Sequence, residues 1–184
     1  KTFDDFLKSP QEPVFLFDAK EFNFRYNNMC YFSTSILPKP VKEIKNDIYF
    51  IAGIRGNREK EILDIIKKFE SEKINYYFDI YCYEKIEEDK IIKTDHVNYF
   101  TNKWKTYDEV LEEIKQTNCI LEILRANQKS QSIRYFEALY FNKKLLTNNP
   151  NIVNLPYYDS RYMKYFKDIN DIDFEWINKK EENC

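Results

Sequence analysis

From Asp47 onward the chain alternates short, continuous apolar runs with stretches whose apolar residues recur at helical spacing, and few folds accept that rhythm. The run IYFIAGI (48–54) reads as a strand covered on both faces. After Asn57, residues Ile62, Ile65, Ile66 and Phe69 fall at i, i+3, i+4 and i+7, the stripe of a helix packed on a sheet. YYFDIYC (76–82) predicts a second strand, and Val97 to Tyr99 a short third one. Thr106 and Glu109 fit a capping box, opening a helix that buries Tyr107, Val110, Leu111 and Ile114. Next come a strand CILEIL (119–124), a helix from about Ser130 to Phe141 and a strand KKLLTN (143–148). Asn142 stands where a helix end often needs a left-handed residue. A strand around Tyr162 to Phe166 and a helix near Asp171 to Ile177 follow.

The alternation specifies an α/β fold, a Rossmann-like parallel sheet with helices on both faces. Right-handed crossovers then bring the carboxyl ends of the strands to one edge. Residues 47–167 form this domain, and 168–184 a C-terminal helix and tail. Residues 1–46 are irregular apart from a short strand at Val14 to Phe17, and Pro38 and Pro40 disfavour regular structure at their end. They read as a linker or the remnant of a preceding domain. The first residue is Lys, not Met, which reads as a fragment or a processed chain.

Charge narrows the function. With 29 basic and 31 acidic residues the net charge is −2, which argues against a nucleic-acid binder relying on a broad basic surface. Cys30, Cys82, Cys119 and Cys184 show no metal-ligand spacing, and no metal or cofactor is expected. Cys82 and Cys119 fall inside strands, as small buried hydrophobes do. No signal-peptide pattern and no apolar stretch near the ~20 residues needed to span a bilayer is present. A reducing cytoplasm is the expected location, with a peripheral place at the inner face of the membrane the variant of that reading.

Two loops carry candidate chemistry. Gly53-Ile54-Arg55-Gly56-Asn57-Arg58 follows the first strand and opens a helix, and it holds both glycines of the chain. Glycine allows close backbone approach, a helix N-terminus favours anions, and Arg55 and Arg58 suit a diphosphate. The alternative is a tight turn with solvated arginines, since the spacing matches neither GxGxxG nor a Walker loop. The second loop, after the strand at 119–124, holds Arg125, Asn127, Gln128, Ser130 and Ser132, with Arg134 and Glu137 one helical turn apart. Loops at strand carboxyl ends are where open α/β sheets bind ligands.

Arg134 on phosphate and Glu137 on a ribose diol is one reading; a surface ion pair is the other. A buried stripe of Ile133, Phe136 and Tyr140 would leave both charged residues on a cleft-accessible face. Glu122, in an apolar strand, should point into the cleft or meet a cation. Trp104 and Tyr107 are candidate contacts for a base, or core residues. His96, the one histidine, is either a catalytic base or a solvated surface residue.

The stretch from Tyr107 to Asn149 resembles the donor-binding half of GT-B glycosyltransferases, of the bacterial type that builds lipopolysaccharide and capsular polysaccharide. The resemblance rests on Ser132-Ile133-Arg134-Tyr135-Phe136-Glu137-Ala138-Leu139 followed by Lys143-Lys144-Leu145-Leu146-Thr147, and extends over roughly 47–167. The Gly53 to Arg58 loop resembles the family's diphosphate loop. The resemblance implies a hexosyl-type transfer from a nucleoside-diphosphate sugar to a glycan or lipid-linked acceptor. Glu137 would bind the ribose, with Arg58, Gln128 and Arg134 near the diphosphate. Many family members carry a second Glu where Lys129 stands, and glycines where Ser130 and Asn142 stand. The acceptor side would come from an N-terminal domain or a partner chain, because residues 1–46 are too short to form it. A non-catalytic α/β nucleotide- or protein-binding module is the competing reading. The transferase reading requires both turns to converge on one cleft edge, with Glu137 on the same side of the sheet as Arg58.

Overall fold

The computed structural model describes residues 43–54, 58–82, 94–100, 104–125, 128 and 131–179. Among these, six strands make one wholly parallel sheet: β1 (Asn46–Ile54), β2 (Tyr76–Cys82), β3 (Val97–Phe100), β4 (Thr117–Glu122), β5 (Lys144–Thr147) and β6 (Met163–Tyr165). Four α-helices accompany them: α1 (Arg58–Ser71), α2 (Tyr107–Lys115), α3 (Ile133–Tyr140) and α4 (Phe174–Asn178). The strand order is β3-β2-β1-β4-β5-β6, the doubly wound Rossmann order. The strand expected at Val14 to Phe17 lies outside the described residues.

Period-two alternation along the strands divides the interior into two cores. Ile48, Phe50, Phe78, Ile80, Cys119 and Leu121 face α1, whose Ile62, Ile65, Ile66 and Phe69 are all buried. Tyr49, Ile120 and Leu145 face the opposite way, against Val110 and Ile114 of α2 and Tyr135, Ala138 and Leu139 of α3. Helices α1 and α3 therefore pack on opposite faces of the sheet. Cys82 and Cys119 are buried free thiols.

Several boundaries move for identifiable reasons. β4 starts at Thr117, which pairs with Asn46, and ends at Glu122, because the Leu124 amide leaves the ladder to bond Asn148 Oδ1 at 2.7 Å. α3 starts at Ile133, capped by Ser132, whose Oγ accepts from the Arg134 amide at 3.1 Å. Asn142 is left-handed at φ 52°, as its place after α3 predicts. The capping box of Thr106 and Glu109 is formed. Of the expected α2 stripe, Val110 and Ile114 are buried and Leu111 half-buried, but Tyr107 is exposed on the first turn.

The last helix starts at Phe174, behind an Asp173 cap, and the turn at Ile169–Asp171 is 3₁₀. It is not an appendage: Trp176 and Ile177 sit in the same core as α1, and the buried Lys144 donates to the Trp176 carbonyl. A boundary at 167 would cut through that core. No helix among the described residues is long and apolar enough to cross a membrane.

Candidate functional site

The sheet opens where its strand order reverses. β1 and β4 are paired at Asn46–Thr117, Ile48–Cys119 and Tyr49–Ile120, whereas β1 continues against β2 as far as Ile54–Cys82. Above Tyr49 the two central strands part, and the connections after them leave to opposite faces. Such a crevice at the carboxyl edge is where doubly wound sheets take ligands. Gly53, half-buried, lies on its β1 wall. Arg55, Gly56 and Asn57 lie outside the described residues, as do Asn127, Lys129 and Ser130.

Arg58 opens α1 and turns inward. Its Nη2 donates to the carbonyl of Ile123, just past β4, and its guanidinium lies 5.8 Å from the centre of the Phe50 ring. Burial, and then the charge of Arg125, lower its pKa. Its buried Nε has no hydrogen-bond partner among the described residues. Arg58 is thus not a solvated surface arginine but a half-buried cation tying α1 to the end of β4.

On the other wall Glu122 is 2% exposed and surrounded by neutral donors. Ser132 gives it both its amide, at 3.2 Å, and its hydroxyl, and Thr147 gives its hydroxyl to the second oxygen. Among the described residues Glu122 has no ion-pair partner; its hydrogen bonds come from neutral groups. It fastens β4 to β5 and to the cap of α3. Ser132 is consequently corrected as a phosphate contact. Its amide and hydroxyl donate to Glu122, and its Oγ accepts from the Arg134 amide, so its polar groups are engaged. Gln128 closes a turn on Arg125, donating its amide to the Arg125 carbonyl at 2.9 Å.

Glu137 departs furthest from expectation. It is fully buried, while Ile133 and Tyr140, assigned to the buried stripe, are only half-buried. Tyr107 donates its hydroxyl to Oε1 at 3.0 Å, and Oε2 is in ion-pair contact with Arg134 Nη1. That contact lies outside hydrogen-bonding geometry, and both Glu137 Oε2 and Arg134 Nη1 lack other partners among the described residues. Burial pushes the Glu137 carboxyl up to about 7, against the opposing pull of Arg134 and Tyr107. A carboxylate so enclosed offers no open pair of oxygens to a diol. Glu137 also lies on the face opposite Arg58, so the one-sided grip required for sugar transfer does not form.

Beside it lies a network that strand periodicity alone did not reveal. Asp79, fully buried in β2, accepts from Tyr49 at 2.7 Å, Lys105 at 2.7 Å and Asn98 at 3.0 Å. Lys105 also reaches Glu113 at 3.1 Å, and its amide donates to Tyr81. These bonds pin Lys105 onto β2, with the neighbouring Trp104 indole stacked on Tyr81 at 4.2 Å and 49% exposed. The available signal was a lone carboxylate inside YYFDIYC, the same anomaly that singled out Glu122.

His96 is exposed, its ring 5.3 Å from that of Tyr76. Among the described residues no group of three or more His, Cys, Asp or Glu side chains is placed to hold a metal ion. Compared with known proteins, the chain matches no family model, no curated sequence and no solved structure.

Proposed function

We propose that this domain binds a nucleoside diphosphate, or the sugar nucleotide carrying one, across the crevice between β1 and β4. The observation that carries the reading is the parting of the two central strands above Tyr49–Ile120, with Arg58 rooted on one wall and Arg134 at the start of α3 on the other. Two guanidinium groups supplied from opposite faces of a sheet suit the two ends of a diphosphate, and charge developing on a leaving diphosphate is stabilised by fixed cations. The sequence block resembling the donor half spans β4, α3 and β5. Glu137 has a different part in this reading. It backs Arg134 instead of holding a ribose.

Sugar transfer itself, to a glycan or lipid-linked acceptor supplied by another domain or chain, rests on the resemblance alone, and the opposed faces of Arg58 and Glu137 count against it. The burial of Glu137 favours a second reading, a non-catalytic nucleotide- or protein-binding module. Calorimetry with UDP, GDP, ADP and their sugars separates the readings. Binding that weakens about tenfold or more in Arg58→Ala and in Arg134→Ala, as expected for loss of a charge-assisted contact, supports nucleotide recognition. A folded chain that binds none of them leaves the protein-binding module. Hydrolysis of the bound sugar nucleotide, or its transfer to added acceptor, would distinguish a transferase from a passive binder.

A further inference from the structure

We infer that anion binding at Arg134 is coupled to the uptake of one proton by Glu137, so that the domain binds its nucleotide more tightly as the pH falls. The inference rests on the nucleotide reading above and concerns the regulation of that same site. Its basis is geometric. Glu137 is fully buried, and its polar partners among the described residues are Arg134 and the Tyr107 hydroxyl. Among the described residues the Arg134 guanidinium is held by charge contact with Glu137, its Nη1 is otherwise unbonded, and its side chain retains 15% exposure. The guanidinium is the member of the pair that an incoming phosphate can reach.

A phosphate that draws Arg134 toward itself removes the cation that, among the described residues, pairs with this buried carboxylate. Coulombic support of the ionised form is lost, while the desolvation that opposes it stays. The Glu137 carboxylate then takes a proton from bulk buffer onto Oε2, becoming a neutral acid still bonded to Tyr107. With the carboxyl already pushed up to about 7 by burial, a small loss of support is enough to protonate it near neutral pH.

Other charges around the cluster are committed elsewhere. From β1 the Tyr49 phenol is bonded to Asp79. From β2 Asp79 also carries Lys105 and Asn98. From α2 Glu113 pairs with Lys105, and from β4 Glu122 is held by Ser132 and Thr147. None of these makes a hydrogen bond or ion pair with Glu137, which leaves Arg134 as the charge that controls it.

The experiment is calorimetry of the full chain with UDP-glucose, GDP-mannose and ADP-glucose, whose substituted diphosphates have no group titrating near neutrality. Each is titrated at pH 8 in HEPES and in Tris, two buffers of different ionisation enthalpy. The expected result is an observed enthalpy that differs between buffers by the uptake of up to about one proton, with affinity falling by up to about tenfold per pH unit above 7. Glu137→Gln should bind with the same enthalpy in both buffers. Binding with buffer-independent enthalpy in the wild-type chain overturns the inference and leaves nucleotide recognition standing. Persistence of the buffer dependence in Glu137→Gln also overturns it, since the proton then goes elsewhere. Absence of binding to all three overturns the nucleotide reading and this inference together. If Glu137→Gln does not fold, the wild-type comparison at pH 6 and pH 8 decides, with less uptake expected at pH 6.

Discussion

Glu122 and Glu137 are two buried carboxylates at the carboxyl side of one sheet, and they are solvated in opposite ways. Glu122 receives an amide and two hydroxyls, all neutral, from two segments, the cap of α3 and β5, that it fastens to β4. Glu137 receives one hydroxyl and one cation, and keeps an oxygen without a hydrogen bond. The first arrangement satisfies a charge through fixed local dipoles and has no reason to change. The second depends on a guanidinium in charge contact that a ligand can compete for. Burial alone, then, does not separate a structural carboxylate from a responsive one; the identity of its partners does.

Removing Glu122 should cause the largest effect. Glu122→Ala strands the donors of Ser132 and Thr147 in the interior and should destabilise the domain by about 3–4 kcal/mol, read by denaturant unfolding. A loss under about 1 kcal/mol would show that those donors find water or other partners, and would erase the contrast with Glu137.

The pH dependence of Glu137 comes next. Its folded pKa, about 7, lies above the ordinary value of 4.5, so between those two pH values the folded chain holds more protons than the unfolded one. Stability from this group therefore falls as pH rises from 4.5 to 7, by a total on the order of 3 kcal/mol, and stays lowered above 7. Glu137→Gln should match the wild type in thermal unfolding at pH 5 and exceed it at pH 8. Equal differences at both pH values would mean that Glu137 is not the group that titrates.

The smallest change is Tyr107→Phe, which deletes the neutral donor to Oε1 and leaves a ring that is already exposed. It should cost about 0.5–1.5 kcal/mol at pH 8, where the carboxylate is charged, and less at pH 5. A cost that does not vary with pH would mean the phenol contributes by packing instead.

The two opposed arginines sharpen the same lesson. Arg58 is engaged through Nη2 with a backbone carbonyl, so its removal should loosen the junction of α1 with β4 as well as weaken an anion. Arg134 answers mainly to Glu137. A sequence reading could place both near the carboxyl edge, because each follows a strand and opens a helix. Whether they approached from one side or from two depended on which face each crossover took.

Periodicity and capping determined much by themselves. The strand–helix alternation gave the parallel sheet, the apolar stripe of α1 was recovered residue for residue, and Thr106, Glu109 and Asn142 took the backbone roles their chemistry prescribes. These signals are local: each depends on spacing within a few residues, which the chain carries in any context. The partners of Glu122, the enclosure of Glu137, the Asp79–Lys105 tie and the docking of α4 against β5 were decided only in three dimensions. Each joins residues from separate elements, and a buried charge chooses its partner by where the packed helices bring donors, a geometry that no linear spacing encodes.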